Sequence, residues 1–243
     1  MPRQRYNVRT PQHIVDIAAR IFAERGFRAV TVKDIVKAAG VNVAAVNYHF
    51  GDKEQLYRAV VRHNLQVREA STPIVTPSKE QLPAQERLRD FIHTLMIQLL
   101  DDKLPSVMSR LMLWEAIDPT PVFGEAVDAL PRRQLKILDA VITDLLDKGH
   151  ARAAVRRYSI SILGQCVYYR YGLTVLQHID PGLRFTPQSV HAIAGHIYEF
   201  SLAAIRGCAR RATAKNRARP RIAASAPVRR RNPQTATAAG RQS

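Results

Sequence analysis

The chain has 243 residues, 46% of them hydrophobic and 23% charged, with a formal net charge of +17. That length can bury a real core as one unit or two small domains; no run approaches the ~18 apolar residues of a membrane span, and no apolar signal core follows Arg3, Arg5 and Arg9, so export is not expected. The charge is uneven: residues 1–70 carry 12 basic against 6 acidic side chains, residues 71–205 carry 14 of each, and residues 206–243 carry 11 basic and no acidic ones. Basic ends around a neutral middle suggest a polyanion held by the ends and a separate task between them.

Thr10-Pro11 opens a first helix, with Pro at the position where a missing N–H does no harm. Ile14, Ile17, Ala18, Ile21 and Phe22 form one apolar stripe, and Gly26 ends it. Thr31 caps a second helix, with Asp34 as the acidic half of a capping box and Gly40 as the turn. Asn42 caps a third helix, about 43–49, anchored by Val43 and Val46 with Phe50 just beyond. Ala44, Ala45, Asn47, Tyr48 and His49 are left for its other faces. Gly51-Asp52 breaks the chain, and Asp52 with Gln55 begins a fourth helix that runs to about Glu69.

Residues 71–83, with Pro73, Pro77 and Pro83, read as a linker. Helical patterning then predicts segments near 84–102, 105–117, 121–147, 153–178 and 187–206, with Pro131 kinking the third of these. Beyond about residue 210 large apolar side chains are almost absent, which predicts a disordered basic tail over 210–243. Neither a strand nor an internal repeat is legible, so the fold class is all-α. Cys166 and Cys208 lie far apart without a Cys or His partner at zinc spacing, so reduced thiols in a cytoplasmic protein are expected. The eight histidines make no three-ligand metal set, and Gly-rich phosphate loops, Ser elbows and Cys/His pairs are absent. No enzyme activity, cofactor or metal is expected.

Two short helices joined by a glycine turn, the second small-faced and polar, are how a protein puts a helix into the DNA major groove. The residues Thr31-Val32, Ile35, Ala39-Gly40-Val41, Tyr48-His49-Phe50, Lys53-Glu54 and Leu56 resemble the reader of TetR-type transcriptional regulators. The likeness covers about residues 8–68, with the helix-turn-helix at 31–50. The run Ser159–Arg170 and the run Glu115–Pro121 are similar to a CecR-like subgroup. The resemblance implies a helical ligand-binding and dimerisation domain over 84–206. It further implies a homodimer on a near-palindromic operator of double-stranded DNA and a repressor released by a small-molecule effector of unknown identity.

Within that resemblance Lys33, Ala44, Ala45 and Asn47 are the base-contacting candidates. Thr31, Tyr48, His49 and Lys53 are the phosphate-contacting ones. Asn47 stands where Tyr is usual, and Asn can pair with adenine N6/N7, so the preferred bases should differ from those of relatives. Lys53 opposes the dipole of its own helix at the first turn, a conflict that a phosphate would resolve. The dimer surface is expected on the last two long helices, from Ile160, Leu163, Gly164 and Val167 on one and Ile193, Ala194, Gly195, Ile197 and Leu202 on the other. Phe91, Met96, Met108, Met112, Trp114, Phe123, Gln165 and Tyr169 are candidates for an effector pocket, because adaptable Met with aromatics suits an apolar ligand. Glu115 and Arg170 are polar residues on otherwise apolar helices that could orient it. Two other readings stay open: a sequence-indifferent DNA organiser, favoured by the basic tail, and a regulator without a ligand.

Overall fold

The computed structural model describes residues 11–74, 76–100, 106–146 and 151–217, and every element among them is an α-helix. The reader comprises α1 (Pro11–Ala29), α2 (Val32–Ala39), α3 (Val43–Phe50) and α4 (Lys53–Ser71). Behind it follow α5 (Pro77–Glu80), α6 (Ala84–Leu100), α7 (Ser106–Ile117), α8 (Phe123–Ala129), α9 (Pro131–Leu145), α10 (Arg152–Tyr171), α11 (Leu173–Ile179) and α12 (Pro187–Arg217). Arg3, Arg5, Arg9 and residues 218–243 of the basic tail lie outside the described residues.

Three expected helices differ. Segment 121–147 is two helices, because Leu130 leaves helical geometry (φ −123°, ψ −73°) and Pro131 starts a new helix instead of kinking an old one. Segment 153–178 breaks at Gly172, where a Cβ would stand 2.7 Å from the Tyr168 carbonyl oxygen. The last helix continues to Arg217, so the disorder expected from residue 210 does not begin there. Its extension is rich in Ala and Arg, good helix formers, and lengthening an existing helix needs no new nucleus. A single turn of helix, α5, lies within the expected linker.

The buried side chains form two clusters. One joins α6, α9, α10 and α12 through residues such as Leu88, Ile92, Leu138, Ile162, Cys166 and Ile197. The other joins α1 to α4 with α7 and α8: Ile14, Phe22, Val46 and Tyr57 share one core with Met108, Leu111, Met112, Val122 and Ala126. The reader thus packs on α7 as if it were a fifth helix of its own.

Candidate nucleic-acid interface

The helix-turn-helix is set by local chemistry. Thr31 Oγ1 accepts from the Asp34 amide (3.2 Å), and the Asp34 carboxylate accepts from the Thr31 amide (2.9 Å), a reciprocal cap. The Thr31 backbone and side-chain hydrogen bonds hold the Asp34 carboxyl below its ordinary range, helped by Arg25 and Lys37. Gly40 is left-handed (φ 63°, ψ 37°), which ends α2 and turns the chain into α3. Asn42 Oδ1 accepts from the Ala45 amide (2.8 Å) and Asp52 Oδ1 from the Gln55 amide (2.8 Å), opening α3 and α4.

Helix α3 is held from one side only. Val46 is fully buried, Val41 and Phe50 pack partly against the same core, and the opposite side is open. Ala44, Asn47, Tyr48 and His49 are exposed there, with Tyr48 86% accessible and its ring edge-on to His49 at 5.0 Å. Ala45 is half-buried beside them, while Lys33 and Thr31 are exposed on the neighbouring α2. The outer side of α3 therefore presents small side chains, an amide, a phenol and an imidazole, and α2 adds an exposed hydroxyl and an exposed ammonium.

Lys53 sits differently from expectation. Its Nζ donates to the Phe27 and Val30 carbonyls (both 3.1 Å) and lies 4.2 Å from the Phe27 ring centre. The ammonium closes the carbonyl end that follows α1, which gives the unfavourable first-turn lysine a structural purpose of its own.

The eight effector-pocket candidates do not converge. Phe91 and Met96 are buried in the C-terminal core, and Met108 and Met112 in the reader core. Trp114 lies over Gly26 (φ 77°), where a Cβ would stand 3.0 Å from its ring, and its Nε1 donates to the Ala23 carbonyl at 3.2 Å. Phe123 is exposed, and Gln165 and Tyr169 border an open hollow between α10, α11 and α12. Met and aromatics at helical spacing here mostly fill cores. Of the stripe expected for dimerisation, Ala194, Ile197 and Leu202 are buried within the chain, and Leu163, Val167 and Ile193 pack against the same core.

What sequence reasoning missed is how the reader is fastened. Glu115, fully buried on α7, accepts from Tyr57 Oη (2.7 Å) and Thr120 Oγ1 (2.8 Å) at Oε1, and from the Thr120 amide (3.1 Å) at Oε2. Burial and this carboxylate push the Tyr57 phenol up. Arg28 Nε lies 2.8 Å from both Asp118 oxygens, and Arg58 joins Glu54 (3.1 Å) to Glu125 (2.8 Å). Glu115 was legible as a polar residue on an apolar helix, and the structure bonds it to Tyr57 of the reader and to Thr120.

Residues 14–60 match the family model described as bacterial regulatory proteins, tetR family. Residues 84–205, half of the chain, match that of the HTH-type transcriptional dual regulator CecR, C-terminal domain. The chain is 37% identical over 86 residues to the transcriptional repressor KstR2 of Rhodococcus jostii (strain RHA1), an alignment covering 29% of this chain and 42% of that protein. It is 41% identical over 51 residues to the regulator AcrR of Shigella flexneri, covering 21% and 24% respectively. These curated relatives are therefore matched over less than half of their own length. In fold, the crystal structure of AibR in complex with isovaleryl coenzyme A and operator DNA is similar, with TM-score 0.59 and 18% identity over 77% of this chain and 97% of that one. With a reader of this type at its front and a regulator domain matched over half its length, the chain belongs to the TetR family of transcriptional regulators, a family of DNA-binding proteins and not of enzymes.

Proposed function

We propose that the chain is a cytoplasmic homodimeric repressor that reads a near-palindromic operator with α3 and leaves it when a small molecule binds. The observation that carries this reading is the one-sided anchoring of α3: Val46 is buried, and Ala44, Asn47, Tyr48 and His49 face outward together. Ala44 and Ala45 let the helix backbone approach the bases and offer methyls to thymine, and Asn47 pairs with adenine. Lys33 reaches a base or phosphate from α2. Thr31, Tyr48 and His49 take phosphates. Lys53 adds positive charge at the start of α4 while it stays bonded to the Phe27 and Val30 carbonyls.

A single reader helix covers few base pairs, so two copies spaced by about one duplex turn, ~34–36 Å, are needed. Ile160 and Tyr168 on α10 and Phe200 on α12 are large apolar side chains more than half exposed, beside Gly164, whose Cβ position meets open space. They supply the apolar face for a second copy. AibR carries both an acyl coenzyme A and operator DNA in its crystal, which supports an effector here as well. The effector drains the DNA-competent population; a switch from 1:99 to 99:1 requires about 5.5 kcal/mol of differential affinity. The ties from α4 and α1 to α7 and α8 are where such a shift would reach the reader.

Footprinting on the DNA upstream of the protein's own gene, with bulk DNA as competitor at fixed salt, tests the reading. Protection of an inverted repeat with a preference of about 10³–10⁷ over bulk DNA is expected. Equal affinity for all sequences would instead identify a sequence-indifferent DNA organiser.

A further inference from the structure

Three features coincide at the end of α4 farthest from α3. The first is a cavity of about 250 Å³ between α4, α6, α8 and α9, walled by Leu65, Ile74, Leu130 and Ile137 with Arg68 and Gln134 at its polar side. The second is a cation with no ion-pair partner among the described residues. Arg68 Nε and Nη2 both donate to Gln98 Oε1, at 2.9 and 2.8 Å, and Gln98 is neutral. The nearest carboxylate in sequence, Glu69, is engaged by Arg133 at 2.9 Å. Burial lowers the Arg68 pKa to about 10, against the opposing influence of Tyr171 and Glu69, so the guanidinium remains charged at neutral pH. The third is an orphaned donor. Gln134 is more than nine-tenths buried, and its Nε2 has no hydrogen-bond partner among the described residues. A buried polar group left unpaired needs a reason.

We propose that this cavity binds a small aliphatic carboxylate, whose acid group accepts from the Arg68 guanidinium and the Gln134 amide while its hydrocarbon body lies against Ile74, Leu130 and Ile137. The chemistry follows from the inventory. One positive charge without an acid partner calls for a monoanion, and a guanidinium fork suits a planar carboxylate. Leu65, Ile74, Leu130 and Ile137 make an apolar side of the wall, the Glu69 carboxylate that also borders the cavity is already neutralised by Arg133, and the volume falls below the ~300–1,000 Å³ usual for drug-sized ligands. Ile74 and Ile137 also border a neighbouring cavity of about 280 Å³, so a longer chain would pass between those two side chains. The occupant would bridge α4 to α9, the same pair of helices that Glu69 and Arg133 join. This assignment rests on the effector reading above, because it makes the cavity the place where ligand binding acts on α4.

The full-length chain is titrated calorimetrically with hexanoate and with hexanamide, its neutral counterpart, and melting curves and operator gel shifts are recorded in parallel. Hexanoate is expected to bind at least tenfold more tightly than hexanamide and to raise the melting temperature. Arg68→Gln is expected to erase that preference. Gln134→Leu should weaken hexanoate binding while the melting temperature of the free protein holds or rises, whereas a purely structural Gln134 would lower it. Equal affinities for acid and amide, or no binding of either to the folded wild type, would overturn the assignment. Arg68-dependent binding of hexanoate that leaves operator affinity unchanged would uphold the site and refute the effector reading.

Discussion

Tyr57→Phe is the sharpest probe of how the reader is held. The substitution removes one oxygen and no carbon, so the aromatic packing of residue 57 against Phe22 (ring centres 4.9 Å) and Phe27 (5.0 Å) stays in place. It deletes one of three hydrogen bonds to a carboxylate with no solvent exposure. A hydrogen bond to a charged group contributes about 1.5–3 kcal/mol, and an acceptor left short in the interior receives no compensation from water. For a chain of this size each kcal/mol moves the melting temperature by about 2–4 °C, so a fall of about 3–12 °C is expected by calorimetry. Glu115→Gln in the Tyr57→Phe background should cost less than the two changes summed, because they act on one contact. Operator affinity of Tyr57→Phe should fall too, since Tyr57 on α4 is bonded to α7. A melting temperature unchanged within 1 °C would refute the reasoning, and additive double-mutant behaviour would show that the Tyr57 hydroxyl and Glu115 do not act through one contact.

Gly26→Ala combines a left-handed φ with a Cβ 3.0 Å from the Trp114 ring, and a loss of about 1–3 kcal/mol is expected in urea unfolding; an unchanged midpoint would contradict the close approach. Phe200→Glu places a charge on the exposed apolar face of α12, and light scattering should register a monomer with weakened operator binding. A persistent dimer would place the twofold interface elsewhere. Burial, then the His191 and Arg89 charges, hold His93 below its ordinary 6.5, with Asp90 opposing. The folded chain therefore takes up that proton less readily than the unfolded one, and stability is expected to decline as pH falls from about 6.5 toward the lower folded value. His93→Gln should flatten that limb of the urea midpoint against pH, and an identical profile would contradict it.

Local chemistry was the legible part. Thr31, Asn42 and Asp52 cap their helices from within a few residues, and Gly40 turns the chain for reasons of its own backbone, so the helix-turn-helix and the start of α4 could be drawn from residues 31–56 alone. What depended on distant partners was not legible. Lys53 serves carbonyls 23 and 26 positions earlier in the chain. Trp114 reads as a ligand aromatic until Gly26 is found beneath it. The division at Leu130-Pro131 and the break at Gly172 are boundary effects that apolar periodicity averages away. The tail shows the opposite error: lack of apolar side chains argued disorder from residue 210, whereas helix-forming residues carry α12 on to Arg217. Met and aromatic residues suggested effector recognition, but Phe91, Met96, Met108 and Met112 pack the cores. The cavity proposed for it instead combines Leu65 and Arg68 of α4, Gln134 and Ile137 of α9 and the non-helical Ile74 and Leu130, a set with no spacing to mark it.

The claim on which the account turns is that the outer face of α3 recognises base sequence. The direct measurement is a fixed-salt competition titration on the footprinted site, comparing wild type with Asn47→Ala/Tyr48→Ala; both side chains are exposed, so the variant should keep its melting temperature. The account predicts that specific affinity drops by about 1–3 kcal/mol for the lost base pairing, with a further loss for the phosphate contact, while affinity for bulk DNA changes much less. A folded double variant that occupies the site with undiminished preference would contradict it.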